Sequence, residues 1–331
     1  MYKKQIKQIN NSLRHTKKAI IALGCSFVQG QGAIDDYFYE DYKWEYTIGI
    51  PLDIKASTEQ KLQILKKHPE LSIHNGKIDF TFMEYENAFV NVLCKKYLNG
   101  AYTPMNFGLR GCGNRASIKD LYFQTEIEWN LAEEIIVLYV PSGVERFDFL
   151  NDTWTDHFHF KAMWPNQHEN PHRNQLWEGY KKTLWSEKFG VLEQISNVLE
   201  LQNWCKLKNA KLFITPGFDT RYTRKHFLHE LNTVVVRNGH ELIESQRSNI
   251  IFNQDEASLV DLFPWECMIT PGGYNTFLEL ALSHEPTIPP EDFFFRCAGV
   301  GSPNKWITPC SHPSAKAHDL FAKHLSESIL K

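Results

Sequence analysis

Three short apolar runs constrain this 331-residue chain more than any other feature: residues 19–23 (AIIAL), Glu134–Val140 (EIIVLYV) and 210–215 (AKLFIT). None alternates cleanly between apolar and polar residues, so none reads as a strand with one wet face. Continuous apolar runs of this length belong to strands covered on both sides, as in parallel sheets. Residues 102–107 form a weaker fourth run, and 250–253 a fifth that is weaker still. Helix-like segments fall between them, at 86–98, 115–130, 187–208 and 314–330. Strands that alternate with helices imply a doubly wound α/β sheet. No repeat, low-complexity tract or Pro/Gly/Ser linker divides the chain, so the expectation is one domain over residues 1–331. Three stretches interrupt the rhythm, at about 33–80, 145–185 and 284–308, and are read as insertions rich in aromatics, His or Pro. The first carries Trp44, Tyr46 and a charged helix-like run at 58–68.

Composition removes several function classes. At 42% apolar and 23% charged the chain has an ordinary globular balance. Its formal charge is −3, from 36 basic against 39 acidic residues, which is no electrostatic footprint for nucleic acid. The longest apolar runs reach only about seven residues, where a membrane span needs about 20. The first twenty residues are basic and polar and lack the apolar stretch of a secretory signal, so synthesis and initial residence in the cytoplasm are expected. The seven cysteines (25, 94, 112, 205, 267, 297 and 310) are odd in number, scattered, and never spaced C-x-x-C. Neither a disulfide framework nor a zinc finger is expected, and no cofactor is implied.

The chemistry is concentrated at three junctions. The first strand runs directly into Gly24-Cys25-Ser26, followed by Gly30 and Gly32. In open α/β sheets, sites form at the carboxyl ends of strands. A glycine turn followed by a helix start would present Ser26 as a nucleophile, with backbone N–H groups facing a developing anion. Ser26 can equally be a plain helix N-cap. Neither a dinucleotide fingerprint nor a P-loop is spelled here. The second junction is Asn106-Phe-Gly108-Leu-Arg-Gly111-Cys-Gly113-Asn114, at the end of the weak fourth strand. A backbone N–H there, or the Asn114 amide, would suit an oxyanion, although Asn114 can instead cap the next helix. The third is Ser311-His312-Pro313 just before the last helix, where His312 can reach a serine at a neighbouring strand end as its general base. His318, inside that helix, reads as a packing or capping residue.

Taken in order, these blocks resemble the SGNH (GDSL-type) hydrolase family. The likeness lies in G-x-S after the first strand, N-x-G-x-x-G at the second junction and His-Pro before the C-terminal helix. The wording is closest to divergent bacteriophage members. The resemblance implies a flavodoxin-like three-layer α/β/α fold and an acyl or acetyl esterase, with an acetylated polysaccharide as one candidate substrate. It also implies Ser26 as nucleophile, His312 as base, and the backbone N–H groups of Ser26 and Gly111 as oxyanion donors. The chain departs from the pattern twice. Pro309 occupies the place of the family's aspartate, three residues before the His, so a Ser–His pair without that neighbour is expected. Asp319, two turns into the last helix, and the upstream Asp292 and Glu291 are the candidates to replace it, and none is expected to do so. The family's G-x-N-D block is replaced by Pro141-Ser142-Gly143-Val144, so its side-chain donor is missing, with Asn114 or Ser142 as possible substitutes.

The 145–185 insertion contains His157, His159, His168 and His172 among Trp164, Trp177 and Trp185. Imidazoles at these spacings would suit zinc, but no cysteine joins them. A substrate wall, a surface for protein contacts or ordinary packing are the other readings, and the wall above Ser26 and His312 is the expectation carried forward. Glu145 and Arg146 read as a structural ion pair. Cys25 is a competing nucleophile, although adjacent residues on a turn usually face apart. The alternative to an esterase is a binding or structural protein, virion-associated for example, on an inherited hydrolase fold.

Overall fold

A computed structural model describes residues 16–30, 33, 44–45, 53–54, 57–69, 71–74, 77–108, 113–123, 132–144, 147–150, 160–163, 175, 179, 186–238, 241–246, 254–284, 306 and 312–330. The frame is a four-stranded sheet of β1 (Lys18–Gly24), β2 (Thr103–Gly108), β3 (Glu134–Val140) and β4 (Ala210–Ile214). All neighbours are parallel, in the order β4-β3-β1-β2. The helices that position the site are α1 (Ser26–Gln29), α2 (Phe89–Val92), α3 (Asn114–Phe123), α4 (Glu187–Leu207), α5 (Arg224–Leu231), α6 (Phe277–Leu282) and α7 (Ala315–Ile329).

Successive residues of β1 and β3 supply opposite faces, and both faces of these central strands are covered. Ile20, Ala22, Ile136, Leu138 and Val140 pack with Phe89 of α2, Phe277 of α6 and Phe321 of α7. Ala19, Ile21, Leu23, Ile135, Val137 and Tyr139 pack with α3, α4 and α5 through Ile118, Val198 and Phe227. This double coverage explains the unbroken apolar runs, since neither face needs polar residues. The expected layers of helix, sheet and helix are therefore present.

Strand limits match the sequence reading closely, and the helices show where it fell short. The segment expected as one helix from residue 86 is broken at Ala88, whose backbone is extended (φ −60°, ψ 141°). Beyond the break, α2 continues as a π-helical turn, Leu93–Tyr97. The Phe89 N–H at the break donates to His318 Nδ1 of α7 at 3.2 Å, an acceptor 229 residues away. α5, α6 and the helix Gln254–Asp261 were not anticipated. Nor was the antiparallel pair Thr233–Asn238 and Glu241–Gln246. Its signal was present in part, because residues 233–236 form a β-branched run and a glycine stands at 239, directly after the last paired residue, Asn238. Residues 250–253 lie outside the described residues.

Of the insertions, the helix Thr58–Lys67 forms where the charged run stood. Phe147–Leu150 pairs antiparallel with Phe160–Met163 beside α3. The histidines and tryptophans of 145–185, together with Glu145, Arg146 and 285–305, lie outside the described residues. Among the described residues, no helix is long and apolar enough to cross a membrane.

Candidate active site

Strand register builds the rim. Gly24 is opposite both Gly108 of β2 and Val140 of β3, so three strands end level. After β1 the chain moves to one side for β2, then to the other for β3 and β4. This reversal makes the carboxyl ends of β1 and β3 the switch point of the sheet, the place where ligands bind in open α/β sheets. The single-turn helix α1 starts there, and Ser26 is its first residue. A side chain at Gly24 would meet Val28 Cγ2 at 2.4 Å and the Val140 carbonyl at 2.6 Å, so only glycine admits this turn. Cys25 O accepts the N–H groups of Val28 (3.0 Å) and Gln29 (3.1 Å). Gly30, left-handed at φ 88°, ends the helix with its N–H on Ser26 O. The Ser26 N–H, first in the helix, has no acceptor within it.

Four residues do not make a stable helix alone, and β2 holds this one in place. The buried Asn106 donates from Nδ2 to Val28 O at 2.8 Å and accepts the Gly108 N–H on Oδ1 at 2.9 Å. Gly108 lies so close to α1 that a Cβ there would sit 2.2 Å from Gln29 N.

His312 arrives from the far end of the chain. Its Nε2 lies 2.8 Å from Ser26 Oγ, joining residues 286 apart in sequence. Pro313 follows, then Ser314, which caps α7 through its side chain and donates its N–H to Trp306 O at 2.8 Å. The His312 ring packs 5.6 Å from the Phe27 ring. Ser26 is buried and His312 half-buried, so the pair sits in the rim. Cys25 is instead part of the core on the α2, α6 and α7 face.

Asn114 is placed at the start of α3, with every polar atom engaged. Its Oδ1 accepts the Ser142 N–H (2.7 Å) and hydroxyl (3.1 Å). Its Nδ2 faces Ser142 O (3.2 Å), Gly143 O (3.3 Å) and Tyr222 Oη (3.1 Å). Tyr222 in turn donates to Ser142 O at 3.0 Å. The structure thus uses Asn114 to grip the loop after β3. Asp219 holds the same loop from the other side, accepting the Val144 N–H at 3.1 Å while paired with Arg221. Arg221 also pairs with Glu187 at 2.8 Å. Asn106 opened the second sequence junction but was given no role there, and Asp219 and Tyr222 were not singled out from sequence. Nothing local marks the latter two, whose partners lie 75 and 80 residues away.

Of the remaining candidates, Gly111 and Pro309 lie outside the described residues, as do Glu291 and Asp292. Asp319 is committed elsewhere, to Lys96 Nζ at 2.7 Å and Tyr97 Oη at 3.0 Å. His318 is fully buried between Phe89 and Phe277, as a packing residue should be. Burial, reinforced by the neighbouring His312, holds its pKa down at about 3.

No family model, curated protein or solved structure matches the chain.

Proposed function

We propose that the chain is a serine-dependent ester hydrolase of SGNH type, with a flavodoxin-like sheet, Ser26 as nucleophile and His312 as general base. The observation that carries this reading is the 2.8 Å contact between Ser26 Oγ and His312 Nε2 beside the switch point between β1 and β3. Such a contact is the signature of an activated nucleophile. The Ser26 proton passes to His312 Nε2 as Oγ bonds to the acyl carbon. The carbonyl oxygen becomes an oxyanion beside the N–H groups at the start of α1. When the tetrahedral intermediate collapses, the bond to the alcohol oxygen breaks and His312 returns the proton to it. Water, deprotonated by the same imidazole, then releases the acid and restores Ser26.

The substrate class is a short acyl ester, with an acetylated carbohydrate first to test. A fluorophosphonate probe and a short p-nitrophenyl ester test the mechanism together. Wild-type protein should be labelled on Ser26 and should hydrolyse the ester. Ser26→Ala and His312→Ala should fall to background while their circular dichroism stays unchanged. Full hydrolysis by folded Ser26→Ala would overturn the reading.

A further inference from the structure

The loop Pro141–Val144 leaves the rim directly after Val140, the residue of β3 opposite Gly24. All four of its residues are buried. Pro141 has no N–H. The Ser142 N–H is taken by Asn114 Oδ1 and the Val144 N–H by Asp219 Oδ2. Pro141 O accepts the Gly217 N–H at 3.3 Å, which ties the loop to the turn after β4. Ser142 O and Gly143 O face Asn114 and Tyr222. Only the Gly143 N–H has no acceptor among the described residues. A buried backbone donor without an acceptor is rare in a native fold. This one stands out because side chains from α3 and from the turn after β4 saturate the peptides on either side of it.

We propose that the Gly143 N–H is an oxyanion donor of this site, with Asn114 as the positioning residue that aims it. This rests on the esterase reading above. The chemistry favours such an arrangement, since a donor already held in place needs no reorganisation when the oxyanion forms. The neighbouring candidates are spent. The Asn114 amide and the Ser142 N–H and hydroxyl are all used in fixing the loop. Among the described residues, the loop's one unused donor thus belongs to a glycine, which has no side chain to shield it.

Two substitutions separate donor from shape. Gly143→Pro removes the N–H, and Gly143→Ala keeps it. With wild-type labelling on Ser26 as the baseline, Gly143→Pro should lower kcat for a short p-nitrophenyl ester by roughly 10²–10³-fold with KM little changed. Gly143→Ala should stay within a few-fold of wild type. Equal losses in both, or an unchanged kcat in Gly143→Pro, would overturn the proposal. Wild-type protein that is never labelled would instead overturn the esterase reading.

A second measurement needs no Pro variant. In 15N-glycine protein the Gly143 amide is the signal missing from Gly143→Ala. It should move strongly downfield when Ser26 is phosphonylated, because a phosphonyl oxygen then occupies the oxyanion position. An unmoved signal on labelled protein would exclude the contact.

Discussion

His318 and His312 share a short segment of chain and have opposite chemical fates, which burial decides. His312 keeps Nε2 within reach of Ser26 in the rim, whereas His318 is sealed between aromatic rings with Nδ1 accepting the Phe89 N–H. Its pKa of about 3 means that the folded chain refuses a proton that the unfolded chain accepts below about 6.5. Stability is therefore complete above that pH and declines as pH falls from about 6.5 towards about 3, by a total on the order of 4 kcal/mol. Urea midpoints at pH 7 and pH 4 should show the decline in wild type and a clearly smaller one in His318→Gln. Equal declines in both would refute the assignment.

At the scale of elements, α1 depends on its neighbours. Its single turn is held by the Gly24 turn on one side and by Asn106 on the other. Asn106→Ala leaves Val28 O and the Gly108 N–H unpartnered in a buried place, at about 1–3 kcal/mol for each buried group stranded. The expected outcome is a lower urea midpoint together with slower fluorophosphonate labelling of Ser26. Unchanged labelling would mean that α1 holds its position without β2. The break between residue 87 and α2 follows the same logic. No proline or glycine stands at Ala88, and the freed Phe89 N–H is satisfied only because α7 brings His318 to it.

At the scale of the whole molecule, the C-terminus both completes the catalytic pair and covers one face of the sheet. α7 buries Ala317, Phe321, Ala322, Leu325 and Ile329 against β1, β3, α2 and α6. A chain ending at residue 311 would lose the base and also expose that face. Burial of one large apolar side chain is worth about 1.5–3 kcal/mol, so losing several exceeds the usual net stability of a domain. Such a chain should lose its near-ultraviolet dichroism and cooperative urea transition. His312→Ala should keep both while losing activity. A truncated chain that still unfolds cooperatively would refute this dependence.

Local sequence was sufficient for β1, β3, β4 and α4. Their signals are contiguous: apolar runs for strands buried on both faces, and a Ser186 cap opening a long helix. It was also sufficient to nominate Ser26 and His312, because a glycine turn after a strand and a His-Pro before a helix are local patterns. The tertiary fold decided everything that depends on distant partners. Only the parallel register makes β1, β2 and β3 end level, and only the packing of α7 carries His312 across 286 residues to Ser26. Asn114 shows the division most clearly. Its sequence position allowed a cap or an oxyanion donor, and its hydrogen bonds to Ser142, Gly143 and Tyr222 make it the grip on the β3 loop. A side-chain amide has the same donors and acceptor in either role, and which role it takes depends on the atoms that folding places within 3 Å or so of it.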